Sequence, residues 1–297
     1  MTDWIELWNN LVNLREWRYQ QTETPENHDR WKTRAHDFDS HVRRRWAKQD
    51  STRTFLVSLL KAMPNSTVLD IGAGTGKWCV LLAPHAKLVT AVEPSPAMIE
   101  KMHSNLASEQ IGNVEIVPAR WQDASVATHD LVLCSHAMYG VPDFAQFINK
   151  MQTVTRHTCA LLLRAPAMAG VMAQAAQHVW GHPYDSPNYH IALNALLQMG
   201  IFPNVLMEEP ASWEPWAHAS LNEALGEIKQ RLRLGERTEH DDFLRDLLQR
   251  HLVWQDGKYV WPPSMRTALI FWRVNGESSP QLDYLASLRP APDNATS

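Results

Sequence analysis

The chain has 297 residues, 44% of them apolar and 20% charged, enough to bury a sizeable core in one large domain or one domain with additions. A formal net charge of −4 gives no overall attraction to a polyanion, which disfavours a general nucleic-acid-binding role. No apolar run approaches the roughly 20 residues that span a bilayer, Met1-Thr2-Asp3-Trp4 has no signal-like pattern, and Cys79, Cys134 and Cys159 show no C-x-x-C spacing. A cytoplasmic protein with reduced core thiols is therefore expected. Tryptophan is abundant, 13 against 6 Tyr and 7 Phe, and most of it falls outside the glycine-rich centre described below.

Trp4, Leu7, Trp8, Leu11 and Leu14 follow the helical period and predict an amphipathic helix over residues 3–19. A polar break from Gln20 to Asn27 leads to a second helical stretch carrying Trp31, Arg34, Ala35, Phe38 and Asp39. Arg43, Arg44, Arg45, Lys48 and Arg53 form a basic cluster, either a solvated helix face or an attraction for an anion. The helix through Thr54–Leu60 stops near Pro64-Asn65.

Residues 67–83 read as an apolar strand, then glycines, then an apolar helix. Gly72, Gly74 and Gly76 leave a loop without Cβ atoms, so backbone N–H groups can approach a ligand beside a helix N-terminus, with the Asp70 carboxylate alongside. The G-x-G-x-G spacing is one residue shorter than the dinucleotide fingerprint and lacks the ending of a P-loop. A second strand, Leu88–Val92, ends in Glu93, about 20 residues past the loop, and Pro94-Ser95-Pro96-Ala97-Met98 opens a helix.

A third strand, Asn113–Val117, runs into Pro118–Asp123, where Trp121 is either a stacking face for a ligand or an ordinary core residue. The fourth strand, Asp130–Cys134, ends in Ser135, His136 and Tyr139, at the sheet edge where ligands bind in open α/β folds. After a fifth strand, Thr158–Leu163, come a helix over 167–180, a loop with His182, Tyr184, Tyr189 and His190, and a helix ending near Gly200. His178, His182 and His190 match no compact zinc spacing, and no metal is expected. Strands at 203–208 and 266–274 are separated by about 55 residues, long for a hairpin and so expected to carry structure of their own. Within that insertion Ser220-Leu221-Asn222-Glu223 is a capping box, Leu221, Leu225, Ile228 and Leu232 form a helical stripe, and 252–261 reads as a hairpin closed by Asp256-Gly257.

Val68–Gly76, with Glu93 at its distance, resembles the first two motifs of the class I S-adenosylmethionine-dependent methyltransferases. The resemblance implies an α/β fold: a Rossmann-like seven-stranded, mostly parallel sheet with helices on both faces and an antiparallel seventh strand beside the sixth. Residues 1–60 are then a helical extension or lid and 61–275 the methyltransferase domain. Insertions at about 167–199 and 210–262 cover the substrate side, and 276–297 is a flexible tail. It also implies cofactor contacts from Asp70, Gly72, Ala73, Gly74, Gly76, Glu93 (ribose), Pro94, Met98 and Ser135. Trp121 and Gln122 would lie at the adenine and Trp31 and Phe38 on the lid. The N-terminal helices and both insertions would converge on one mouth, bringing Trp213, Trp216, Trp254, Trp261, Tyr184, Tyr189, His182 and His218 around an enclosed aromatic pocket.

The expected reaction is methyl transfer from S-adenosylmethionine to a small molecule, leaving S-adenosylhomocysteine, with His136 as candidate general base and Tyr139 orienting the acceptor. Neither nucleic acid nor membrane is an expected partner. No Asn/Asp-Pro-Pro-Tyr/Phe/Trp tetrapeptide, common in methyltransferases acting on base or amide nitrogens, follows the fourth strand. A protein methyltransferase docking its partner through the helical additions and a non-catalytic cofactor-binding assembly protein stay open, with a nicotinamide enzyme as the outside alternative. The oligomeric state is open as well.

Overall fold

The computed structural model describes residues 2–20, 31–32, 35–48, 50–208 and 213–274; the expected polar break after Gln20 and the tail at 276–297 lie outside them. Helices α1 (Trp4–Gln20), α2 (Ala35–Trp46) and α3 (Ser51–Ala62) precede the sheet. The chain then alternates through β1 (Thr67–Ile71), α4 (Lys77–Leu82), β2 (Leu88–Val92), α5 (Pro96–Ser108), β3 (Val114–Val117), β4 (His129–Ser135), α6 (Phe144–Thr153) and β5 (Thr155–Pro166). Helices α7 (Val171–Trp180) and α8 (Tyr189–Gln198) lead to β6 (Asn204–Met207). Next come β7 (Ala217–His218), α9 (Leu221–Arg231), α10 (Asp241–His251), β8 (Val253–Gln255) and β9 (Lys258–Val260), and the chain returns as β10 (Met265–Arg273).

Seven strands form one sheet in the order β3-β2-β1-β4-β5-β10-β6. β10 runs antiparallel to both β5 and β6, and the other pairs are parallel. The seventh sheet strand therefore lies beside the sixth as expected, inserted between it and β5. The order reverses between β1 and β4, which makes the carboxyl ends of these two strands the crevice in which such sheets take ligands.

The sheet is covered on both sides because successive side chains of its strands alternate in direction. Leu69, Ile71, Val132, Cys134, Leu161 and Ile270 pack with Trp8, Leu11, Ile148, Ile191 and Leu196 on one face. Val68, Leu131, Leu133, Ala160, Leu162 and Leu269 pack with Leu56, Leu60, Cys79, Leu82 and Met102 on the other. All three cysteines are buried and free. A third core, with Ala175, Leu225, Ile228, Leu244, Leu247, Leu248 and Trp261, joins α7, α9 and α10, which explains why the connection from β6 to β10 is so long. Asp256 (φ 50°) and Gly257 (φ 76°) close the β8–β9 hairpin as a primed turn. The two-residue β7 adds a third strand to it that the sequence did not announce. No helix among the described residues is long and apolar enough to cross a membrane.

The N-terminal helices do not act as one cover. Trp8, Leu11 and Val12 of α1 are consumed by the first core beside α6 and α8, and Leu56 and Leu60 of α3 by the second. Phe38 of α2 approaches the glycine loop, 3.9 Å from where a Gly74 Cβ would stand.

Candidate active site

The glycine loop is shaped by contacts that forbid side chains. At Gly72 (φ 70°) a Cβ would stand 2.3 Å from the Ala137 Cβ, and at Gly76 (φ 77°) 2.4 Å from Met102 Cγ. Gly74 (φ 58°) is different: a Cβ there would meet only Phe38 Cε1, at 3.9 Å, so its surroundings are open except for the α2 ring above. Four N–H groups of this loop are already bonded within the chain. Gly72 and Ala73 both donate to the Val92 carbonyl (2.8 and 3.1 Å), and Gly76 donates to the Ala73 carbonyl (2.9 Å). Gly74 donates to Glu93 Oε2 (2.8 Å). Closing the loop onto β2 consumes these donors; what remains for a ligand is room where side chains would stand.

Two carboxylates flank that room. Glu93 is buried at the end of β2, and its second oxygen accepts from Ser95 N (2.9 Å), whose side chain caps α5. Asp70 is buried at the end of β1, and its partner is the Cys79 thiol, which donates at 3.4 Å. Burial pushes the Asp70 carboxyl up to about 7, the thiol hydrogen bond opposing and the negative charge of Glu93 adding to the rise. A carboxyl this poorly solvated is stabilised as an anion by an arriving cation.

Helix α2 leans over the loop. Trp31 and Phe38 pack edge to face, 5.0 Å between centroids. Buried Asp39 accepts from Arg43 Nε (2.7 Å) and Asn105 Nδ2 (3.1 Å), and the same Asn105 amide donates to the Thr75 carbonyl (2.8 Å). Asp39 and Asn105 thus pin α2 to α5 and to the loop. Other expected contacts vary in position. Met98 is buried in the first turn of α5, Ser135 is half-buried at the end of β4, and Pro94 and Gln122 are exposed. Trp121 takes the core alternative: its ring packs against Phe147, the Lys150 ammonium lies 4.6 Å from the ring centre, and its buried Nε1 has no hydrogen-bond partner among the described residues.

Directly after β4, His136 adopts φ 55°, a left-handed conformation that costs a non-glycine residue about 1–2 kcal/mol. Its Nδ1 lies 2.9 Å from Tyr139 Oη, which accepts from Arg164 N at 2.7 Å and is also approached by the Arg164 guanidinium. With donors arriving at the phenol oxygen, the hydroxyl proton points to Nδ1, which assigns the other imidazole proton to Nε2. That Nε2 is buried and has no hydrogen-bond partner among the described residues. Burial, with the charges of Arg45 and Arg164, holds the His136 pKa well below the usual histidine range. The ring is therefore neutral and a weak base.

Beyond it lies a wall of indoles and guanidinium groups. The Trp213 ring meets His136 edge-on at 5.7 Å; Arg45 Cζ lies 4.9 Å from the Trp213 ring centre and Arg164 Cζ 4.3 Å from that of Tyr139. A cavity of about 170 Å³ opens here, lined by Arg164, Trp213, Trp216, Arg231 and Trp261 among others. Trp213 Nε1 donates to Thr267 Oγ1 and Trp261 Nε1 to His218 Nδ1, both at 3.0 Å, which fixes two of the rings. Arg231 is committed to Asp185 (3.3 Å) and Glu227 (2.7 Å).

Part of the expected aromatic mouth is elsewhere. Trp254 is 57% exposed and packs on Tyr259 at the far side of the hairpin, and Tyr184 packs on Trp4 in the first core. His178 stacks on Phe243, His182 Nδ1 accepts from Tyr184 N, and His190 Nε2 bonds the Pro166 carbonyl. No cluster of three or more metal-ligating side chains occurs among the described residues. Arg164 and Asn105 were not singled out by the sequence; Arg45 stood there within the basic cluster and Asp39 within the second helical stretch.

Residues 62–214, just over half of the chain, match a family described as a methyltransferase domain. Among curated proteins, "Probable ribosomal RNA small subunit methyltransferase A" of Methanosphaera stadtmanae is 27% identical over 79 residues, 27% of this chain. That alignment spans only 29% of the archaeal protein, under a third of its length. The magnesium-protoporphyrin O-methyltransferase of Rhodobacter capsulatus is 26% identical over 159 residues, 46% of this chain and 70% of that protein. Among solved structures, the YcgJ protein of a Bacillus species superposes with a TM-score of 0.49 at 13% identity, covering 75% of this chain and 97% of its own. The magnesium protoporphyrin IX methyltransferase of Synechocystis with bound S-adenosylhomocysteine gives 0.45 at 16% identity, covering 60% and 90%.

Proposed function

The chain belongs to the class I S-adenosylmethionine-dependent methyltransferases, and on that premise we propose that it methylates a small molecule held among the tryptophans at the carboxyl edge of its sheet. The observation that carries this reading is the cavity between Arg164, Trp213, Trp216 and Trp261, beside the His136–Tyr139 pair that follows β4. A concave site walled by three indoles, with the charged groups of Arg164, Asp185, Glu214 and Arg231 among them, suits a small molecule rather than a folded partner. The curated relative from Rhodobacter is named for O-methylation of magnesium protoporphyrin, which agrees in kind.

S-adenosylmethionine, when bound, supplies a methyl group already activated by its sulfonium. Asp70 would hold its ammonium and Glu93 its ribose hydroxyls, and Phe38 with Trp31 covers Gly74 from the α2 side. The chain's own contribution is to align the two reactants and exclude water, and alignment alone provides about 7–11 kcal/mol of a barrier. His136 was the candidate general base. Its lowered pKa and its Nε2–H tautomer make it a hydrogen-bond donor instead, positioning the acceptor while Tyr139 fixes its ring.

The test is transfer of radiolabelled methyl from S-adenosylmethionine into a cell extract separated into low-mass, protein and RNA fractions. Label in the low-mass fraction is expected. Label confined to protein or RNA overturns the acceptor class. No label anywhere, with the cofactor bound, favours the non-catalytic alternative.

A further inference from the structure

The groups around His136 form an unbroken series: Arg45 over Trp213, Trp213 against His136, His136 bonded to Tyr139, and Tyr139 beneath Arg164. Its polar members are almost all donors. Arg45 and Arg164 each have no carboxylate within salt-bridge distance among the described residues, as is also the case for Arg120, Arg245 and Arg273, but only these two stand on the series around His136. The carboxylate that bears on Arg45, Asp50, is occupied as the N-cap of α3, accepting from Arg53 N at 3.0 Å. Glu208 is likewise taken by Ser51 and Thr52. Among the described residues His136 Nε2 is buried without a partner.

Partly buried guanidinium groups are retained where an anion completes them, since an unpaired buried charge is costly. Two of them beside an unpartnered N–H donor make a binding set that lacks only its acceptor oxygens. From this juxtaposition we infer that Arg45, Arg164 and His136 Nε2 form a carboxylate-recognition subsite, and that the methyl acceptor is a carboxylic acid whose planar apolar part lies against Trp213, Trp216 and Trp261.

The inference rests on the proposed methyl transfer to a small molecule and adds the acceptor's chemistry. A carboxylate reaching these groups has two sources, the acceptor and the amino-acid end of the cofactor. Arg164 and Trp213 line the tryptophan cavity together with Asp185 and Glu214, and Arg45 and His136 adjoin it through the Trp213 ring, a placement that favours the acceptor.

The test uses the full chain saturated with S-adenosylhomocysteine and compares indole-3-acetate with its neutral amide by titration calorimetry and ligand-observed NMR. The acid should bind at least tenfold more tightly than the amide, and Arg164→Gln should abolish that preference. Arg45→Gln provides the second variant if the first fails to fold. Both variants should bind S-adenosylhomocysteine within about twofold of wild type. Equal binding of acid and amide, or no binding of either, overturns the subsite. If instead the variants lose tenfold or more in affinity for S-adenosylhomocysteine while keeping that for 5′-methylthioadenosine, which lacks the amino-acid end, the guanidinium groups belong to the cofactor and the inference fails. Failure of the wild-type chain to bind S-adenosylhomocysteine would refute the proposed function itself, a result distinct from these.

Discussion

Replacing Asp70 by Asn separates the carboxyl's cost to the fold from its use in binding. In the folded chain the Asp70 pKa is raised from 3.8 to about 7, chiefly by burial. A carboxyl raised on folding contributes stability that is complete below its unfolded value and is lost as pH climbs through its folded value. At about 1.4 kcal/mol per pH unit, wild-type Asp70 gives up about 3 kcal/mol of stability between pH 5 and pH 8. The Asp70→Asn side chain does not ionise, so the stability difference, variant minus wild type, should shift in the variant's favour by about that amount over the same interval. The absolute offset is lower, because the buried amide needs hydrogen bonds that the Cys79 thiol does not supply and each unmet one costs about 1–3 kcal/mol. Urea unfolding of both proteins at pH 5 and pH 8, without cofactor, measures the difference, and calorimetry should show affinity for S-adenosylhomocysteine reduced at least tenfold. Parallel pH dependences of stability in the two proteins would refute the claim that Asp70 is a buried carboxyl awaiting a cation.

Wild-type affinity for S-adenosylhomocysteine should rise by up to tenfold per pH unit below about 7 and level off above it, because binding the ammonium requires Asp70 to release its proton; calorimetry in buffers of different ionisation enthalpy would show that release. Glu93→Gln weakens the charge-assisted bonds to Gly74 N and Ser95 N, each worth about 1.5–3 kcal/mol; cofactor affinity should fall at least tenfold in the same titration. Gly72→Ala drives a Cβ to 2.3 Å from Ala137 and should cost about 1–3 kcal/mol in urea unfolding. Adding Ala137→Gly should recover part of it and leave the cost of the left-handed φ at residue 72. Asn105→Ala removes both the Asp39 and Thr75 contacts and should increase protease cleavage of α2 in the cofactor-free chain.

Legibility in the sequence followed the range of the interactions involved. The strand, glycine and helix sequence from Thr67 to Leu82 is local in cause, and the β8–β9 turn follows from Asp256-Gly257 alone, so both could be read directly. The capping box is equally local: Ser220 Oγ accepts from Glu223 N, and Glu223 reaches back to Ala219 N. What the glycine loop does with its N–H groups depends on Val92 and Glu93 across β2, and no local pattern reveals it. The same holds for α1, whose stripe suits a lid as well as a core until α6 and α8 are seen beneath it. Tryptophan count marked the insertions, yet Trp213 and Trp254, alike in sequence, lie on a cavity wall and on an exposed hairpin. β7, with two residues, is too short to show any period.

The central claim, that the loop at Asp70–Gly76 with Glu93 holds S-adenosylmethionine beside a small-molecule cavity, is tested most directly by a crystal structure with S-adenosylhomocysteine. The ribose hydroxyls should lie on Glu93, the ammonium on Asp70, and the sulfur toward the Tyr139–Trp213 side with the tryptophan cavity still open. Adenosine bound away from Glu93, or the homocysteine chain filling the tryptophan cavity, would contradict it.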